Sequence, residues 1–194
     1  MMRGRRVGVI GNAMDMLPAG ERTARLEAEF DALEGLGLDA SEIDLRTVGE
    51  PRAAFDGLDA LWVRGGNTFV LRYALAASRT DEVITRLVLD DSIVYAGYSA
   101  GVCVLAPNLN GLEQCDPVAD VARANGADAQ ARFDGLGVLS YTVVPHIDSP
   151  DHPECDVLER VAAAYRRDGT QHRTLRDGEA LVVDGDRTYV VGAD

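Results

Sequence analysis

Short apolar runs alternate along this chain with segments whose apolar positions recur every three to four residues, the pattern of a sheet whose strands are joined by helices. Val7 to Ile10 reads as a first strand. From Gly20 to Leu36, Ala24, Leu26, Ala28, Phe30, Leu33 and Leu36 are set among Glu and Arg as on one face of an amphipathic helix, which Gly35 and Gly37 end. A second strand is expected over Glu42 to Leu45 and a third over Ala60 to Val63, followed by helices over Phe69 to Ala77 and Asp81 to Leu89. A strand then runs through Ile93 to Ala96 into a helix-like stretch. From Asn108 to Asp134 the periodicity fades and Gly, Asn, Asp and Ala dominate, which predicts a long active-site loop. Order returns with a strand over Gly137 to Val144 and a helix over Glu154 to Arg167. Two last strands, Ala180 to Val183 and Thr188 to Val191, are joined by the hairpin turn Asp184-Gly185-Asp186. The succession predicts one α/β domain with an open, mostly parallel sheet.

Composition narrows the class. The 194 residues suffice for one substantial core, and 46% hydrophobic with 26% charged residues is an ordinary globular balance. A formal charge of −13 disfavours nucleic acid and anionic membrane as partners. Met1 to Arg6 is basic like the start of an export signal, but the apolar run behind it breaks at Gly11-Asn12, so a cytoplasmic location is expected. Cys103, Cys115 and Cys155 are odd in number and unpaired in spacing, which points to reduced thiols rather than disulfides or zinc.

Chemistry collects where strands end, as it does in open α/β sheets. Gly97-Tyr98-Ser99-Ala100-Gly101 lies between a β-branched run and a helix-like run, the context of a nucleophile elbow. In such a corner the serine hydroxyl stands clear of the backbone, and the amide of Ala100 points at the space where an oxyanion would develop. A serine needs a base, and His146, at the end of the Val138 to Val144 run, is the best placed of three histidines; His152 and His172 read as solvated or core residues. For the carboxylate that orients the base, Asp148 and Asp177 compete, and spacing does not decide between them. A metal site built from His146, Asp148, Asp151, His152 and Glu154 lacks helical ligand spacing and contains two prolines, so neither metal nor cofactor is expected.

Taken together, Gly65-Gly66-Asn67-Thr68-Phe69, Gly97-Tyr98-Ser99-Ala100-Gly101, Val144-Pro145-His146 and Leu175-Arg176-Asp177-Gly178 resemble, in order, the motifs of the peptidase E family of serine peptidases, and more distantly cyanophycinase. The resemblance implies a flavodoxin-like fold with helices on both faces of the sheet and a C-terminal hairpin, related to class I glutamine amidotransferases. It implies Ser99 as nucleophile, His146 as base and Asp177 as acid, with the amides of Gly66 and Ala100 as the oxyanion hole, and a small peptide as substrate. Asn67 and the cations Arg64, Arg173 and Arg176 are the residues near these motifs that would meet substrate. Three departures stand out: aspartate replaces the family's glutamate, Tyr98 stands where tryptophan is common, and the sequence ends at Asp194 directly after the hairpin. Hydrolysis of Asp-X dipeptides is therefore expected to be weak, over an open cleft. The alternatives are another amide or ester hydrolase on the same scaffold, or a catalytically weak binding homologue.

Overall fold

The computed structural model describes residues 6–192. Four parallel strands form the central sheet: β1 (Arg6–Ile10), β2 (Asp39–Glu42), β3 (Ala60–Val63) and β4 (Val94–Gly97), in the order β2-β1-β3-β4. Because successive strand residues point to opposite faces, Val9 and Trp62 pack with Leu26 and Leu33 of helix α1 (Ala19–Gly35), whereas Ile10, Leu61 and Val63 pack on the other side. There they meet Leu71 and Leu75 of α2 (Thr68–Ala77) and Ile84 and Leu87 of α3 (Asp81–Leu89). The sheet is thus covered by helices on both faces, the arrangement that parallel strands require.

Beyond the short α4 (Ala100–Cys103) and α5 (Ala119–Asn125), strands β5 (Thr142–Val144) and β6 (His172–Thr174) pair in parallel as a separate two-stranded sheet. The helix between them, α6 (Cys155–Asp168), buries Leu158, Val161 and Tyr165 with Val144 and Leu112. The antiparallel hairpin β7 (Glu179–Asp184) and β8 (Arg187–Gly192) closes the described chain.

The expected α/β class, the four long helices and the final hairpin are all present, and several boundaries are corrected. The second strand lies at 39–42, not 42–45; the apolar Ile43 and Leu45 are buried just past its end. The strand expected over 137–144 shortens to its last three residues. Upstream, the apolar Leu136 and Leu139 are held instead as a bend by backbone bonds to the carbonyls of Val104 and Leu105. Strand β6 has no signal in the apolar pattern, because His172-Arg173-Thr174 carries no apolar residue. The segment from Asn108 to Asp134 is not an irregular loop. Its ends bridge to each other, it contains α5, and it is anchored by buried Leu109, Leu112 and Val121.

Candidate active site

The parallel pair β3 and β4 carries its carboxyl ends side by side, as does the parallel pair β5 and β6, and each strand is followed by one of the sequence-predicted residues. Ser99, two residues past β4, adopts φ 50° and ψ −119°, a conformation that L-residues rarely enter. What forces it is the sharp reversal from β4 into α4, tightened by glycine on either side. A side chain on Gly101 would run into the carbonyl oxygen of Val63, and one on Gly97 would sit 2.9 Å from the same oxygen. Both glycines let the elbow lie directly on β3. Tyr95 fixes it from below, its hydroxyl donating to the Gly101 carbonyl at 2.5 Å. Cys103 is buried beside it, and burial pushes the thiol well above its ordinary value, in keeping with a small core residue.

His146 follows β5 with φ 60°, and its Nδ1 lies 2.5 Å from Asp177 Oδ1. Since a carboxylate accepts only, Nδ1 carries a proton, and in the neutral ring Nε2 is the acceptor. That Nε2 is buried and has no hydrogen-bond partner among the described residues. No hydrogen bond joins it to Ser99 Oγ; such contacts commonly tighten only when substrate is bound. The competing carboxylate faces elsewhere. Asp148 pairs with Arg176 at 3.3 Å on the exposed surface. Although one methylene shorter than glutamate, Asp177 reaches the imidazole, and its backbone is tied to Ser149: the Asp177 amide donates to Ser149 Oγ at 2.9 Å, and that hydroxyl donates to the Ile147 carbonyl at 3.1 Å.

The Gly65-Gly66 turn after β3 abuts the elbow so closely that a Cβ on Gly65 would stand 2.9 Å from Ser99 Cβ. Gly66 has φ 145°, and a side chain there would strike the Ala13 carbonyl. The amides of Gly66 and Ala100 donate to no acceptor among the described residues. Asn67 is 2% exposed and caps α2, accepting from the amides of Phe69 and Val70, while its Nδ2 donates to the Pro117 carbonyl. Of the cations expected near substrate, Arg64 donates to Glu29 at 3.1 Å and to the Gly65 carbonyl. Glu29 also accepts from Trp62 Nε1 and from the Tyr98 hydroxyl, so Tyr98 does more than pack. Arg173 is exposed, its guanidinium 5.0 Å from the centre of the Tyr141 ring.

Sequence reasoning missed three participants. Ser149 is one. His152, read as a solvated or core residue without a role at the site, stacks on His146 with ring centroids 3.5 Å apart. The third is Asp116, buried behind the Gly66 turn and accepting the Thr68 amide at 2.9 Å. Burial, with smaller contributions from Glu154 and Asp120, raises its carboxyl to about 6, against the Thr68 hydrogen bonds that lower it. Nothing in the spacing of these residues marks them, because their partners lie on other elements. Among the described residues no group of three or more His, Cys, Asp or Glu is arranged to hold a metal ion, and no helix is long and apolar enough to cross a membrane.

Asp116 makes stability depend on pH. Its folded-state value lies above the unfolded one, so its stabilising contribution is complete below about 3.8 and is lost as pH rises through about 6. Asp116→Asn keeps an acceptor for the Thr68 amide but cannot titrate. Urea denaturation at pH 5 and pH 7.5 should show wild type gaining about 1 kcal/mol at the lower pH relative to this variant. An equal pH response in both proteins would show that Asp116 keeps an ordinary carboxylate value.

Comparison with known proteins bears on the family and the fold. The family model described as Peptidase family S51 matches residues 18–191. Peptidase E of Streptomyces coelicolor is 30% identical over 203 aligned residues, covering 95% of this chain and 79% of that protein. A Drosophila melanogaster protein named "Probable alpha-aspartyl dipeptidase" is 27% identical over 84% of this chain and 64% of its own length. For the fold alone, a crystal structure from Listeria monocytogenes superposes with a TM-score of 0.82 over 100% of this chain and 89% of that one, at 24% identity.

Proposed function

The chain belongs to peptidase family S51, a family of serine-type peptidases, and we propose that it cleaves short peptides by attack of Ser99, with His146 as base and Asp177 orienting it. The observation that carries this reading is the polarity of His146: Nδ1 is held by Asp177 at 2.5 Å, and the opposite nitrogen is buried and unbonded, on a loop that follows the strand end as Ser99 does. In the first half-reaction Ser99 Oγ attacks the scissile carbonyl while Nε2 takes its proton. The amides of Gly66 and Ala100 stabilise the oxyanion, a contribution of about 3 kcal/mol for each such donor in other hydrolases. His146 then returns the proton to the leaving amine, and water resolves the acyl-enzyme by the same route. Free, unpaired cysteines fit a reducing compartment, and we place the activity in the cytoplasm.

The same reading carries weak cleavage of Asp-X dipeptides. An aspartate side chain taken out of water needs a cation with donors to spare. Arg64 is engaged by Glu29 and Arg176 by Asp148, and Arg173 lies out over Tyr141. A fluorophosphonate probe and a panel of dipeptides and tripeptides that includes Asp-Leu provide the test. Labelling confined to Ser99, with hydrolysis of at least one short peptide, is expected. Absence of labelling would overturn the serine-peptidase mechanism, and kcat/KM for Asp-Leu above about 10⁴ M⁻¹s⁻¹ would overturn the specificity.

A further inference from the structure

A hydrogen bond at Nδ1 fixes one point of an imidazole but leaves the ring free to tilt about that contact. Half-exposed Asp177 is therefore an incomplete clamp for His146, whose own backbone is in the left-handed region. The missing constraint lies on the ring face. His152 lies flat against His146, 3.5 Å between centroids and 2° from parallel. Such an arrangement forbids tilting, because any rotation of one ring drives its edge into the other. His152 is itself held on three sides. Its Nδ1 accepts the Glu154 amide at 3.2 Å, its amide donates to the Ser149 carbonyl at 2.8 Å, and its carbonyl accepts the Cys155 amide at 3.1 Å. Proline precedes and follows this turn at positions 150 and 153. As Nδ1 is an acceptor, a neutral ring carries its proton on Nε2, and the stack sets a flat neutral face against the base rather than a second cation. Ser149 ties the two supports together, since the residue whose carbonyl holds His152 also holds the Asp177 amide through its hydroxyl.

We infer that His152 is a positioning residue for the reaction: by stacking, it holds the His146 ring in the plane in which Nε2 can take the Ser99 proton. The inference rests on the serine-peptidase reading above, and the test separates the two. His152→Phe keeps a flat face, and His152→Leu keeps the bulk without it. The rate of fluorophosphonate labelling of Ser99 and kcat should fall about 10- to 100-fold in the leucine variant, with KM within a few-fold of wild type, and the phenylalanine variant should recover most of the loss. Proton NMR of the His146 Nδ1–H, which needs no turnover, should show its far-downfield resonance sharp in wild type and His152→Phe and broadened by exchange in His152→Leu. A leucine variant indistinguishable from wild type, or a phenylalanine variant as impaired as leucine, would overturn the role. If wild-type Ser99 does not label, the peptidase mechanism fails, and the Nδ1 resonance alone decides whether His152 holds the ring.

Discussion

Replacing Ser99 with alanine should lower peptide turnover by about 10⁶-fold, the loss seen when a serine nucleophile is removed from a working triad. The fold should survive the change, because no other group depends on the hydroxyl: Ser99 Oγ has no hydrogen bond among the described residues, and its backbone is held through its carbonyl, which accepts the amides of Val102 and Cys103. Alanine keeps the strain of φ 50° and ψ −119°, while glycine does not. Ser99→Gly should therefore be as inactive as Ser99→Ala yet more stable than it by about 1 kcal/mol, measured by urea denaturation. Together the two variants separate chemistry from scaffold. Residual activity within about 100-fold of wild type in both would remove Ser99 from the nucleophile's place.

What could be read from the chain beforehand follows from which forces are local. The elbow was legible because its geometry is set by neighbours in sequence, with glycines at 97 and 101 spaced around the serine and a β-branched run before it. Helices α2 and α3 were legible from period and length. Strand β6 was not, since His172, Arg173 and Thr174 pair with β5 through backbone alone and have no apolar alternation to report it. Helix α5 has the same difficulty: seven residues are too few to show a period, and what anchors it is contact with α2. The choice between Asp148 and Asp177 stayed open on spacing and was reached only through a motif resemblance. The Asp177 backbone is joined to Ser149, which is close to His146 in sequence but 28 residues from Asp177, so spacing does not reveal the link. The place of His152 was illegible for a related reason, because a histidine between two prolines in a polar loop has no feature in sequence that distinguishes stacking on another histidine from solvation or core packing.

The sharpest separation of the two carboxylates comes from neutralising them one at a time. Asp177→Asn should lower kcat by about 10⁴-fold, since an amide can present N–H rather than an acceptor to Nδ1, inverting the tautomer so that Nε2 bears the proton it must accept. Folding should be little changed: the side chain is half exposed, and the backbone amide that Ser149 holds is untouched. Asp148→Asn removes only an exposed pair with Arg176, both side chains 62% exposed, a contact of the kind worth about 0–1 kcal/mol at most, and should leave kcat within a few-fold of wild type. Steady-state kinetics on whichever short peptide the wild type cleaves best will read both variants. If Asp148→Asn fell as far as Asp177→Asn, the orienting role could not belong to Asp177 alone. If only Asp148→Asn fell, the 2.5 Å contact between His146 and Asp177 would be a resting arrangement that the reaction does not use. The expected order, Asp177→Asn far below Asp148→Asn, would show that the carboxylate of Asp177, one methylene shorter than glutamate, orients the base.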